Sequence, residues 1–166
     1  MRKIVLIDTG GTFNKCYDPI RGTLEIDTSG HALQTIAKQW LCAFETIQII
    51  GKDSLLIEEH DRALLTQTIL SHNASHYVVI HGTDTIDITA RYLQQYLGSQ
   101  RVVLTGAMVP FSIDPIEATA NLALAIGYLT AEDSPTIAIA LNGVVDHHTR
   151  IKKDRTRGKF ISYPLQ

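Results

Sequence analysis

Cysteine is nearly absent: Cys16 and Cys42 are the only two in 166 residues. Two thiols cannot build a disulfide framework or, alone, a structural zinc site. They read as the reduced thiols of a cytoplasmic protein. An excess of charge of either sign is also missing. Fifteen Lys and Arg stand against seventeen Asp and Glu, a net charge of -2, so neither nucleic acid nor an anionic membrane is an expected partner. No apolar run approaches the roughly 18 residues needed to span a bilayer. Only four apolar residues separate Met1-Arg2-Lys3 from Asp8, so no secretory signal is read there. Repeats, low-complexity segments and linkers are lacking. So are the Gly-x-Gly-x-x-Gly dinucleotide fingerprint and the Gly-x-x-x-x-Gly-Lys-Ser/Thr phosphate loop.

What is there is the composition of a globular chain, 45% hydrophobic and 19% charged, long enough for a single domain over residues 1–166 with its own core. The apolar pattern alternates between two kinds of segment. Residues 3–8, 46–50, 77–80, 101–105 and 136–141 are short β-branched runs, apolar on both faces, as strands buried in a parallel sheet are. Residues 31–43, 59–71, 86–97 and 115–130 carry apolar side chains at helical spacing; in the first these are Leu33, Ile36, Ala37, Trp40 and Leu41. Five strands alternating with four helices predict an α/β domain, a mostly parallel sheet with helices on both faces. Ligands in such folds bind beyond the carboxyl ends of the strands. Residues 9–28 are too long for an ordinary βα connection and are expected to be a functional loop. The stretch from Asn142 onward reads as basic and irregular.

Hydroxyl- and glycine-rich turns follow the strands. Thr9-Gly10-Gly11-Thr12-Phe13 follows the first, His81-Gly82-Thr83-Asp84-Thr85 the third, and Thr105-Gly106-Ala107-Met108-Val109-Pro110 the fourth. Individually, each has an ordinary reading. The first is a turn with hydroxyl–backbone bonds, and Thr83 or Asp84 caps the next helix. Lys152 and Lys153 alone read as solvated charges, and His147-His148 as a solvated loop. Together the turns gather hydroxyls, a carboxylate and an ammonium on one sheet edge. That is a candidate site for acyl transfer, in which a threonine hydroxyl needs a neighbour to take its proton. Glu117-Ala118-Thr119-Ala120-Asn121 opens a helix with small residues suited to close packing, read as a subunit interface.

The turns also carry a resemblance. Thr9-Gly10-Gly11-Thr12 and His81-Gly82-Thr83-Asp84-Thr85 resemble the two signatures of the bacterial-type L-asparaginase family, and Thr105-Gly106-Ala107-Met108 resembles a further family segment. The resemblance implies the family's three-layer, Rossmann-like N-terminal domain and hydrolysis of the side-chain amide of L-asparagine, with L-glutamine as a second substrate, without metal or cofactor. It implies Thr12 as nucleophile, Tyr17 as its phenolic neighbour, and a second cluster of Thr83, Asp84 and a lysine. The lysine is assigned to Lys153, with Lys152 the alternative. Gly11, Ser54, Gly82, Thr83 and Asp84 are implied to bind substrate, Ser54 at the α-carboxylate and Asp84 at the α-amino group. Backbone amides near Gly11 and Gly82 or Thr83 are implied to hold the oxyanion. A homodimer or homotetramer is implied too. Family members have about twice this length, and the sequence departs from the pattern at Leu55 and Val109. A non-catalytic amino-acid-binding module and an amidase for another amide are the alternative expectations.

Overall fold

The computed structural model describes residues 3–163. In chain order its elements are β1 (Ile4–Gly10), β2 (Lys15–Asp18), β3 (Thr23–Ile26), α1 (His31–Gln39), β4 (Glu45–Lys52), α2 (Glu59–Ser71), β5 (His76–Ile80), α3 (Ile86–Tyr96), β6 (Arg101–Thr105), α4 (Pro115–Ala131), β7 (Thr136–Leu141), β8 (Val144–His147), β9 (Ile151–Asp154) and β10 (Lys159–Ser162). Short 3-10 turns cover Thr12–Asn14 and Ser54–Leu56. The central sheet runs β4-β1-β5-β6-β7-β8, parallel except for the antiparallel edge pair β7–β8.

Strand alternation divides the core in two. Val5 and Ile7 of β1, Tyr77 and Val79 of β5, Leu104 and Ile139 face a cluster completed by Leu65 and Ile69 of α2 and Ala90 and Leu93 of α3. Leu6, Val78, Ile80, Val103, Ala138 and Ala140 face the opposite way, onto Leu33 and Ile36 of α1 and Ala118, Leu122 and Ala125 of α4. Every residue of β5 is buried, which explains its continuous apolar run. Each large side chain so buried contributes about 1.5–3 kcal/mol. α4 starts where Asp114 accepts from the Ile116 amide at 2.9 Å and Pro115 takes the first turn, a position where a missing N–H costs nothing.

Several expectations need correction. Residues 9–28 are not an irregular loop: β2 and β3 pair as an antiparallel hairpin. The segment after Asn142 is regular, with β8 on the sheet and β9–β10 as a second hairpin. The first helix ends at Gln39, leaving Leu41 94% exposed. Of the residues that open α4, Ala118 and Asn121 are buried in this chain, while Thr119 is half-buried and Ala120 exposed. His148 is buried, with its ring 4.5 Å from that of His147, so the pair is not a solvated loop.

The strand order positions the site. From β1 the chain crosses through α1, on one face, to β4; from β5 it crosses through α3, on the other, to β6. Adjacent strands whose connections diverge in this way leave a crevice at their carboxyl ends. The Gly10–Asn14 and His81–Thr85 turns are the two connections that open from it.

Candidate active site

Three loops meet at this crevice with almost no room between their backbones. A Cβ on Gly11 would lie 2.5 Å from the Gly82 amide nitrogen, and a Cβ on Gly82 would lie 2.6 Å from that of Ser54. Gly11 also holds φ +82, a conformation open to glycine at little cost. Thr12 and Thr83 each directly follow a glycine of this contact.

Three named residues form a hydrogen-bonded group. Lys153 Nζ donates to Thr83 Oγ1 at 2.8 Å and to Asp84 Oδ1 at 2.8 Å. Strand alternation explains why it is Lys153: Lys152 turns away, with its ammonium 5.8 Å from the Tyr163 ring centroid. Arg155, just past β9, also reaches Asp84, donating from Nη1 to Oδ1 at 2.9 Å and from Nη2 to the backbone carbonyl at 3.3 Å. The Lys153 ammonium, then the Arg155 guanidinium, hold the Asp84 carboxyl below the usual carboxylate range against the opposing effect of burial. Asp84 is therefore not a helix cap; Thr85 occupies that position, without a side-chain cap bond.

Ser54 is buried and joins the group through the backbone. Its hydroxyl accepts from the Asp84 amide at 3.3 Å, and its carbonyl accepts from Thr85 Oγ1 at 2.8 Å. Lys15 Nζ donates to Asp53 Oδ2 at 2.7 Å, tying the turn that carries Thr12 to the turn that carries Ser54. Behind Gly82 lies a buried chain of polar groups. His81 is neutral, its pKa pushed down to about 4 by burial. A carbonyl only accepts, so Nδ1 carries the proton and donates to Gly82 O at 2.8 Å. Nε2 then accepts from Thr89 at 2.8 Å, and the Thr89 hydroxyl accepts from Arg62 Nε at 3.1 Å. This chain fixes the peptide preceding Thr83 from the α2 and α3 side.

Other named residues stand apart from the group. The Thr12 hydroxyl, half-buried, makes no hydrogen bond to another described residue. Tyr17 lies on β2, 62% exposed and paired across the hairpin with Leu24. The Gly11 amide donates to Lys52 O at 3.0 Å, so it is committed within the chain and is not an open oxyanion donor. A cleft of about 460 Å³ is lined by Thr83, Asp84, Arg91, His148, Lys153 and Arg155, without Thr12. Among the described residues no group of three or more His, Cys, Asp and Glu is gathered as a metal would need. Sequence reasoning missed Arg155, Lys15 and His81. Arg155 had a readable signal, since it is a second cation only two residues beyond Lys153.

Fold and site together define an α/β protein of the doubly wound kind, with a Lys–Thr–Asp hydrogen-bonded cluster where its strand order reverses. The chain belongs to the asparaginase family: the family model for the asparaginase N-terminal region matches residues 3–160. It is 27% identical over 172 residues to an L-asparaginase of Thermococcus kodakarensis, a match that takes in 98% of this chain and 52% of that protein. The solved thermostable L-asparaginase from the same organism superposes with a TM-score of 0.84 at 27% identity, over 99% of this chain and 52% of the other. Two further structures share the fold at 22% identity. They are L-asparaginase I from Vibrio cholerae, with a TM-score of 0.79 over 100% of this chain and 53% of that one, and a probable cytoplasmic L-asparaginase from Campylobacter jejuni, with a TM-score of 0.81 over 98% and 54%. This chain thus spans about half the length of the relatives it matches.

Proposed function

We propose that the chain is an asparaginase-type amidohydrolase, releasing ammonia and L-aspartate from L-asparagine through a threonine nucleophile. The observation that carries this reading is the 2.8 Å contact of Lys153 with both Thr83 and Asp84. A hydroxyl is a weak nucleophile near neutral pH and requires a neighbour able to take its proton. Lys153 in its amine form is such a neighbour, and Thr12, like Thr83, directly follows a glycine of the Gly11–Gly82 contact.

In this scheme Lys153 acts as the neutral amine: Thr12 Oγ attacks the amide carbon while its proton passes through the Thr83 hydroxyl to the Lys153 nitrogen, which becomes the ammonium. The carbonyl oxygen becomes an oxyanion. The C–N bond then breaks, the nitrogen takes up a proton and leaves as ammonia, and an aspartyl ester on Thr12 remains. Water adds to the ester, the C–O bond to Thr12 breaks, and L-aspartate departs as Thr12 regains its proton. Ser54 receives the substrate α-carboxylate and Asp84 its α-ammonium. Tyr17 contributes when the β2–β3 hairpin folds over the crevice. The protein acts without a cofactor, as a homodimer or homotetramer in the cytoplasm. A second reading makes Thr83 the nucleophile, favoured by its contact with Lys153, which Thr12 lacks.

The test is ammonia release from L-asparagine and L-glutamine by the purified protein, Thr12→Ala and Thr83→Val, with mass analysis of the acid-quenched ester. Release that drops by at least about 100-fold in Thr12→Ala, the scale of a lost catalytic group, with the ester mapped to Thr12, is the expected result. An ester on Thr83 selects the second reading. No release by a folded protein that binds L-aspartate overturns both and leaves an amino-acid-binding module.

A further inference from the structure

The Asp84 carboxylate is engaged twice from within the chain. Its Oδ1 receives Lys153 Nζ at 2.8 Å and Arg155 Nη1 at 2.9 Å, so two cations converge on a single oxygen. Lys153 is held from a second side by Thr83. Arg155 is not: its side chain is 66% exposed, and its other contact is the Asp84 carbonyl. The backbone around Arg155 is set independently of the guanidinium. Asp154 Oδ1 accepts from the Thr156 and Arg157 amides at 3.0 and 3.1 Å and from the Thr156 hydroxyl at 2.6 Å, which closes the β9–β10 turn. The Asp84 backbone is likewise held by Ser54. Arg155 is thus an exposed cation carried by a turn whose hydrogen bonds do not depend on its guanidinium.

We propose that Arg155 is a specificity-determining residue: its guanidinium takes the place on Asp84 that an amino-acid ligand's α-ammonium would take. The inference rests on the reading that Asp84 receives that ammonium. A ligand with a free α-amine must displace Arg155 before pairing with Asp84. The same four-carbon dicarboxylic skeleton without the amine displaces nothing, and it adds no third cation to Lys153 and Arg155. The site therefore discriminates against the free amino acid relative to its deaminated counterpart, and Arg155 sets how strongly.

L-Aspartate and succinate differ only by the amine, so their dissociation constants, measured by calorimetry on wild type, Arg155→Gln and Arg155→Lys, isolate the effect. Arg155→Gln is expected to tighten L-aspartate about two- to fivefold, the worth of a solvent-exposed ion pair, and to leave succinate unchanged or weaker. Arg155→Lys keeps the competing charge and is expected to stay near wild type. The proposal is overturned if Arg155→Gln shifts both ligands equally, leaves L-aspartate unchanged, or if neither ligand binds. The catalytic reading fails separately: a protein that binds L-aspartate but releases no ammonia from L-asparagine loses that reading and keeps this one.

Discussion

The turn that carries Thr12 is built on a buried carboxylate. Asp8 Oδ1 accepts from the Gly10 amide at 3.0 Å and from Asn14 Nδ2 at 2.7 Å, while Oδ2 is buried with no hydrogen-bond partner. Burial outweighs these two bonds and pushes the Asp8 pKa up to about 6. An acid whose folded pKa is raised stabilises the fold fully below its unfolded pKa and loses that contribution as pH rises through the folded one. For Asp8 the window runs from 3.8 to about 6. Asp8→Asn keeps the accepting oxygen and removes the ionisation. Its stability relative to wild type should therefore rise by about 2–3 kcal/mol between pH 4 and pH 7, since each tenfold change in proton affinity is worth roughly 1.4 kcal/mol. Any constant penalty from the unpartnered amide nitrogen cancels in that difference. Urea titrations at the two pH values measure it, and a difference that does not move with pH would show that Asp8 ionises normally in the fold.

Among the elements, α1 ends in a way its sequence does not favour. The Cys42 amide bonds to Ala37 O at 3.0 Å and the Leu41 amide to Lys38 O at 3.3 Å, the paired closure of a Schellman turn. The residue after the cap must then be left-handed, and that residue is Leu41, at φ +53 and 94% exposed. A left-handed side chain costs roughly 1–2 kcal/mol, and Leu41 buries little to offset it. Leu41→Gly is expected to raise stability by about 0.5–1 kcal/mol once the added freedom of the unfolded glycine is counted, seen as a higher midpoint in denaturant at unchanged m. The same position shows why the first helix read long in sequence: Trp40 and Leu41 continue the apolar period, and only the turn geometry ends it. The five parallel strands were legible because burial on both faces leaves continuous apolar runs. β2, β9 and their partners were not, since Lys15–Asp18 and Ile151–Asp154 are short, half-polar edge pieces whose pairing is set by tertiary context. Thr83 and Asp84 were legible as a motif. Their link to Lys153, 70 and 69 residues away, was reached through family resemblance.

At the scale of the whole molecule, buried titratable groups of opposite linkage converge on the strand-order reversal. Asp8 lies under the β1 turn. His81, at the head of the β5 turn, has its pKa pushed down to about 4 by burial, and so has His148, which lines the adjoining cleft. A histidine whose folded pKa is depressed stabilises the fold above its unfolded pKa, here 6.5, and loses that contribution as pH falls through the folded value. Acidification from pH 6.5 towards 4 therefore strains the two histidines while it relieves Asp8. At pH 5 the unfolded chain holds about two more protons on these histidines and about one fewer on Asp8 than the folded chain does. Unfolding at pH 5 should accordingly take up about one proton more in Asp8→Asn than in wild type, and wild-type stability should decline more gently with acid than that of the variant. Calorimetric unfolding in buffers of different ionisation enthalpy counts these protons. Equal uptake by the two proteins at pH 5 would mean that the carboxylate and the imidazoles are not opposed as their burial requires.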